Sequence, residues 1–248
     1  HQASLKSSYN LLLYQLECNS LNESALNKSI DADHITKDYF RHEFGLTYFD
    51  NFLSPQALES LQKFLLGSTI WFNVKKGGYL GAYLNEGLAS PLIFQIADEL
   101  KRKFPEIIKD HALNHVWAYK YDSRAKKNDS SLGGISVHAD FAAVNVNFWI
   151  TPSHANLDSN SGGLIVYNAE APIEWNIDAY NNYEQNKERI NSELKKSGGK
   201  KDVIPYKANR VVLFNSNLLH ETDRYDFMDG YQNRRINITM LFGNREYP

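Results

Sequence analysis

The sequence predicts an α+β, mainly β fold: a jelly roll, or double-stranded β-helix, with N-terminal helices packed on one sheet. From about residue 115 onward, short segments rich in β-branched and aromatic residues are separated by turn-rich loops, which is typical of antiparallel strands. Before that point, two segments with helix start signals each carry one apolar stripe, as helices that lie on a sheet do.

The two helices are predicted from their first residues. Ser54 precedes Pro55, and Ser90 precedes Pro91, which places an N-cap side chain and a proline at the start of each helix. Apolar residues then recur at helical spacing, and Gly67 ends the first helix.

Eight segments are predicted as strands. Several alternate between two faces, so that Asn145, Asn147 and Trp149 lie on one side of their strand. The segments are 115–121, 135–138, 144–150, 163–167, 202–206, 210–214, 219–222 and 234–242.

The chain is predicted to have two units. Residues 1–44 form an N-terminal helical extension, and residues 45–248 form the jelly roll, with helical support from 45–114. A polar, helix-compatible insertion spans about 170–200. Its mixed charges are typical of a solvated face, and a lid over a substrate is the alternative.

Composition excludes several classes of protein. The 248 residues include 27 Lys and Arg against 29 Asp and Glu, a net charge of −2, which argues against binding to nucleic acid. Cys18 is the only cysteine, so no disulfide can form within the chain. No apolar run reaches about 18 residues, and the first residues lack the order of a signal peptide, so no membrane association and a cytoplasmic location are expected.

The strongest chemical signal is His138-Ala139-Asp140. In an extended segment the first and third side chains point to the same side, so His138 and Asp140 can bind one divalent ion. His220 is the candidate third ligand, and two imidazoles with one carboxylate form the facial triad typical of non-haem Fe(II). A surface turn for the first pair, and a capping or core histidine for His220, are the alternatives.

Arg235 is the second signal. It opens the last strand, and Asn237 and Thr239 share its face. A guanidinium on an otherwise apolar wall requires a partner, and a two-pronged contact with a dicarboxylic cosubstrate would supply one. Arg234 competes for this role, but only Arg235 has Asn237 and Thr239 on its side.

These landmarks, in this order, resemble the Fe(II)/2-oxoglutarate-dependent oxygenase superfamily, and within it the prolyl 4-hydroxylase type. The resemblance covers roughly residues 116–242. It depends on Tyr121, His138-x-Asp140, the strand 144–150, the segment 162–167, Pro205, the strand 209–214, His220 and Arg235-x-Asn237.

The resemblance implies a function and a cofactor. His138, Asp140 and His220 would hold Fe(II), and Arg235 would bind the distal carboxylate of 2-oxoglutarate. Further cosubstrate contacts are assigned to Tyr121, Asn147, Asn237 and Thr239. With O2, the enzyme would convert 2-oxoglutarate to succinate and CO2 and hydroxylate an unactivated C–H bond in a peptide or protein side chain or an amino-acid-like small molecule.

Two other functions fit the sequence less well. A nucleic-acid demethylase of the same superfamily is disfavoured by the balanced charge. A non-oxidative jelly-roll binding module, or a cupin-like isomerase that keeps a metal, belongs to a different class. Arg235 argues against it, because such a module has no need of a buried dicarboxylate site.

Overall fold

The computed structural model of the chain describes residues 12–128 and 133–245, with side chains at all of these positions except 126–128. The helices in these ranges are α1 (Ala32–Arg41), α2 (Pro55–Gly67), α3 (Pro91–Lys103), α4 (Pro105–Ile108), α5 (Ser123–Asn128), α6 (Ile177–Asn181) and α7 (Tyr183–Lys196). The strands are β1 (Leu46–Phe49), β2 (Asn73–Lys75), β3 (Tyr79–Tyr83), β4 (Leu113–Tyr121), β5 (Val144–Trp149), β6 (Leu164–Glu170), β7 (Lys201–Ile204), β8 (Val211–Asn215), β9 (Leu218–Thr222) and β10 (Arg235–Phe242).

Two antiparallel sheets form the β structure. The larger has the strand order β1-β8-β5-β10-β4-β3-β2, and the smaller has the order β7-β6-β9. Apolar side chains from both sheets fill the space between them, including Trp149 and Phe214 from the larger sheet and Val166 from the smaller, together with Phe227 from a loop. This arrangement confirms the predicted double-stranded β-helix.

The helical layer covers one face of the larger sheet, as predicted. The Ser54 hydroxyl accepts a hydrogen bond from the Ala57 amide, and the Ser90 hydroxyl accepts one from Ile93, so both predicted caps are present. Apolar side chains of α2 and α3 belong to one buried cluster that includes the sheet residues Val116, Val146, Phe148, Ile236, Ile238 and Met240.

Strand β10 has two different faces. Ile236, Ile238 and Met240 lie in the cluster beneath the helices. Arg235 and Thr239, which alternate with them, line a cavity on the opposite side of the sheet. Because side chains alternate along a strand, one strand supports the core and also supplies polar groups to a site.

The predicted strand 135–138 is wrong. Only His138 pairs, in an isolated bridge with His220, through hydrogen bonds of 2.9 and 2.8 Å. Further along, the Thr222 amide bonds to the carbonyl of Ile135, which is one residue out of register with that bridge, so no ladder forms. Strands β1, β2 and β3 were not predicted, and β2 has only three residues.

The polar insertion is helical and belongs to the fold. Tyr180 of α6 and Ile190 of α7 are buried in a cluster with Leu219 of β9 and with Ala139, which lies between two predicted metal ligands. The carbonyl of Tyr180 also accepts a hydrogen bond from the Ala139 amide at 3.1 Å. One side of the insertion therefore packs on the smaller sheet, and the exposed residues of α7 form the solvated face that the charge pattern predicts.

The predicted division of the chain at residue 44 stays a prediction. Residues 1–11 of the first predicted unit, and residues 129–132 and 246–248 of the second, lie outside the described ranges. Described residues before it, such as Leu26 and Ile35, pack in the same core as α2 and α3. No helix in the described part of the chain is long and apolar enough to cross a membrane. The expected cytoplasmic location stays a prediction.

Candidate active site

The structure brings His138, Asp140 and His220 together. The bridge between His138 and His220 sets their rings side by side, with centroids 4.2 Å apart. The amide of Asp140 bonds to the carbonyl of Ser216, which turns its carboxylate towards the two rings. One ligand atom from each of the three residues lies within 4.8 Å of the others, a spacing that could hold a metal ion.

Both imidazoles are oriented by backbone carbonyls. His138 Nδ1 lies 2.9 Å from the carbonyl oxygen of Ser136, and His220 Nδ1 lies 2.9 Å from that of Leu218. A carbonyl only accepts, so each Nδ1 carries the proton and each Nε2 presents a lone pair. His220 Nε2 lies 3.4 Å from Asp140 Oδ2, and His138 Nε2 lies 3.9 Å from Asp140 Oδ1.

Burial and neighbouring charge favour the metal-binding protonation states. Burial, helped by the neighbouring His220 ring, lowers the pKa of His138 to about 4, so this ring is neutral at pH 7. Burial by itself would raise the pKa of Asp140, but the two histidine rings beside it and the amide of Asn145 hold the pKa of this carboxyl below its ordinary value. A carboxylate and a neutral imidazole are the forms that bind a divalent cation.

Arg235 is buried, with 2% of its surface exposed. Its Nε donates to the carbonyl of Gly162 at 2.6 Å, and its Nη2 donates to that of Gly163 at 3.0 Å. The partner that the sequence predicts, a carboxylate of a dicarboxylic cosubstrate, stays a prediction. Two backbone carbonyls fix the guanidinium without neutralising its charge, so it can still attract an anion in the cavity.

The two glycines allow this contact. Gly162 has φ of +85°, a conformation that favours glycine. A Cβ on Gly163 would lie 1.9 Å from the carbonyl oxygen of Ile204, so the backbone approaches too closely for any side chain. The turn before β6 thereby brings two carbonyls to Arg235.

The other predicted cosubstrate residues lie beside Arg235. Its Nη1 donates to Asn237 Oδ1 at 3.0 Å, and Asn237 Nδ2 donates to Thr239 Oγ1 at 3.3 Å. Asn147 Nδ2 donates to the same hydroxyl at 2.9 Å. Tyr121 is buried, which raises the pKa of its hydroxyl, although the neighbouring side chains of Arg235 and Thr222 partly offset this.

One cavity of about 880 Å³ connects these groups. The His138, Asp140 and His220 cluster and Arg235 line this cavity. An aromatic wall from β3 and β4 lines it as well, formed by Tyr79, Tyr83, Trp117 and Tyr119. Asn181, Asn182, Tyr183 and Glu184, at the junction of α6 and α7, also face it, so the insertion lines the cavity with its other side.

Two residues of the site were not singled out from the sequence. Thr222 lies two positions after His220 on β9, so strand alternation could have found it. Asn145 lies two positions before Asn147 on the same face, and its Nδ2 donates to Asp140 Oδ2 at 2.6 Å. No sequence signal reports that contact, because Asp140 lies in a loop.

Comparison with known proteins gives matches in structure alone. No protein-family model and no curated protein matches the chain. A prolyl hydroxylase from Trichoplax adhaerens, in complex with a peptide fragment of the hypoxia inducible factor oxygen degradation domain, is 15% identical with a TM-score of 0.52, over 86% of this chain and 89% of that one. HygX from Streptomyces hygroscopicus, with nickel, 2-oxoglutarate and hygromycin B bound, is 14% identical with a TM-score of 0.52, over 84% and 86%.

A third structure shows a different reaction on this fold. SnoN, a non-heme alpha ketoglutarate dependent epimerase from nogalamycin biosynthesis, is 10% identical with a TM-score of 0.57, over 86% of this chain and 82% of that one. The chain therefore has the prolyl 4-hydroxylase-like, double-stranded β-helix fold of the 2-oxoglutarate-dependent oxygenases. This confirms the resemblance at the level of fold, and the reaction has to be argued from the site.

Proposed function

We propose that the chain is an Fe(II)- and 2-oxoglutarate-dependent dioxygenase that hydroxylates an unactivated C–H bond. The observation that carries the proposal is that the cluster of His138, Asp140 and His220 lines the same cavity as Arg235. A metal site next to a buried cation suits a dicarboxylic acid that chelates with one end and pairs its other carboxylate with a guanidinium.

The ligand set fits Fe(II). Two neutral imidazole nitrogens and one carboxylate oxygen form the facial triad of non-haem iron sites, which leaves positions open for exogenous ligands. His138, Asp140 and His220 would hold the ion, and the carbonyls of Ser136 and Leu218 would keep the rings aimed. When bound, iron with 2-oxoglutarate and O2 supplies an oxidation coupled to the release of succinate and CO2.

The residues around Arg235 suit the cosubstrate. The guanidinium has five N–H groups, of which three bond to Gly162, Gly163 and Asn237, so donors remain for a carboxylate. Asn147 Nδ2 donates one of its two N–H groups to Thr239 Oγ1, so the second N–H can donate to a carboxylate. We assign cosubstrate contacts to Arg235, Tyr121, Asn147, Asn237 and Thr239, and we add Thr222.

The aromatic wall suits the substrate. Tyr79, Tyr83, Trp117 and Tyr119 are half-buried, so their rings remain available for contact and keep water from the reacting carbon. About 880 Å³ is the size of a pocket for a small ligand. We propose a peptide side chain or an amino-acid-like molecule as the substrate.

Oxygen-dependent turnover tests the proposal. The purified chain would be incubated with Fe(II), ascorbate and 2-oxoglutarate, with and without O2, against a panel of peptides and amino acids. Succinate and products heavier by the mass of one oxygen atom would be measured. We expect succinate and the oxidised product from the wild type and from the control His154→Ala, which replaces an exposed histidine. We expect neither from His138→Ala. Succinate at the level of His138→Ala in every reaction would refute the function.

A further inference from the structure

Asn145 makes a short hydrogen bond to a predicted metal ligand. Its Nδ2 lies 2.6 Å from Asp140 Oδ2, and the two residues are 1% and 3% exposed. We propose that Asn145 is a positioning residue that holds one oxygen of Asp140, so that this carboxylate binds the metal through its other oxygen alone. The inference rests on the proposed metal site and concerns how that site is kept open.

The coordination geometry gives the contact its importance. A carboxylate can bind a metal through one oxygen or through both. In an octahedral site with two imidazoles, one-oxygen binding leaves three positions, enough for a two-point chelate and O2. Two-oxygen binding would leave only two. By occupying Oδ2 with an N–H donor, Asn145 favours binding through Oδ1, which faces His138 at 3.9 Å.

The strand makes Asn145 a rigid support. It lies in β5, between β8 and β10, in register with Phe214 on one side and Leu241 on the other. Asp140 lies in the preceding loop, so its orientation depends on such contacts. Phe214 in turn packs its ring on His220, with centroids 4.9 Å apart. Neighbouring central strands therefore support two of the three ligands.

The contact also has an energetic cost. Asn145 Oδ1 is buried and has no hydrogen-bond partner among the described residues. An unsatisfied buried acceptor lowers the stability of the folded state. Its cross-strand neighbours Phe214 and Leu241 are apolar and buried, so an asparagine among them is explained by its donor.

Metal binding tests the inference without turnover. Asn145→Leu removes the donor and keeps a similar volume. The matched control is Asn147→Leu, because Asn147 is also a buried asparagine on the same face of β5 but donates to Thr239. Co(II) binding would be followed by calorimetry and by the visible spectrum of the bound ion, which reports coordination number.

We expect Asn145→Leu to raise the Kd for Co(II) about 10- to 100-fold and to change the bound spectrum, because hydrogen-bonding partners of metal ligands have effects of this size. The control should stay within about threefold of the wild type, with an unchanged spectrum. A Kd that is unchanged or lower, or an equal change in Asn147→Leu, would overturn the inference.

The two proposals fail in different ways. If the wild type binds no Co(II), both the proposed function and this inference are wrong. If the wild type binds Co(II) and Asn145→Leu behaves like it, only the inference is wrong. Thermal unfolding of the metal-free proteins checks that each variant folds. If Asn145→Leu does not fold, Asn145→Ala takes its place and is tested by the same criteria.

Discussion

Arg235 and Tyr121 lie opposite each other in the β10–β4 ladder, with the guanidinium carbon 4.6 Å from the centre of the tyrosine ring. The ring face stabilises the buried cation. Among the described residues the direct hydrogen-bond partners of Arg235 are neutral, so its charge is not cancelled by a carboxylate. This gives the cavity a fixed cation close to the proposed metal site.

Loss of that cation should weaken binding of 2-oxoglutarate. Hydrogen bonds to a charged group contribute about 1.5 to 3 kcal/mol, so Arg235→Gln should raise the Kd for 2-oxoglutarate roughly 10- to 100-fold. Calorimetry with the Co(II)-loaded protein measures it. Arg234→Gln is the control, because Arg234 pairs with Asp122 at 2.8 Å and does not line the cavity. Equal affinities in the two variants would remove Arg235 from the cosubstrate site.

The close approach at Gly163 should not tolerate a side chain. A Cβ there would clash with the Ile204 carbonyl oxygen, so Gly163→Ala should lower the free energy of unfolding by about 2 to 3 kcal/mol. It should also weaken 2-oxoglutarate binding, since the Gly163 carbonyl holds Arg235. Urea unfolding measures the first effect. The control is Gly133→Ala, where no atom lies within 4 Å of the added carbon, so its free energy of unfolding should stay close to that of the wild type. An equally small change in Gly163→Ala would contradict the structure.

Lys120 should make stability depend on pH. It is 2% exposed and lies over the rings of Trp71 and Tyr231, with Nζ to centroid distances of 4.3 and 4.0 Å. Burial, and to a lesser extent the charge of Arg234, lowers its pKa to about 7. Between that value and the unfolded pKa of about 10.4, the unfolded chain binds more protons, so the free energy of unfolding rises with pH.

The comparison is between the wild type and Lys120→Met. The free energy of unfolding of the wild type minus that of Lys120→Met should increase by about 2 kcal/mol from pH 7 to pH 9. Urea unfolding at both pH values measures it. Lys63→Met, which removes an exposed lysine paired with Glu59, should show no such trend. A pH-independent difference for Lys120→Met would show that Lys120 titrates normally.

Much of the fold follows from short-range pattern. Strand alternation in residues 144–150 and 234–242 gives correct strands, and the serine–proline pairs give correct helix starts. The segment 135–138 looks like a strand, but its pairing is set by the distant segment 220–222 and slips by one residue. Local sequence carries no information about that slip.

The same limit applies to the site. Strand alternation predicts that His138 and Asp140 lie together, the family resemblance implies that His220 and Arg235 join them, and the structure brings all four to one cavity. The neutral partners of Arg235 depend on a turn more than 70 residues away, and this contact could not be predicted. The packing of the insertion on Ala139 is equally long-range, so the charge pattern predicts the solvated face of α7 but not the side that packs.

An anaerobic titration tests most directly whether this cavity binds iron and 2-oxoglutarate together. Fe(II) and then 2-oxoglutarate would be added to the metal-free protein, and the visible spectrum would be recorded for the weak charge-transfer absorption of an iron-bound 2-oxo acid. We expect one equivalent of each to saturate the signal in the wild type, with no signal in Asp140→Ala. Absence of the absorption in the wild type, or an equal signal in Asp140→Ala, would contradict the proposed site.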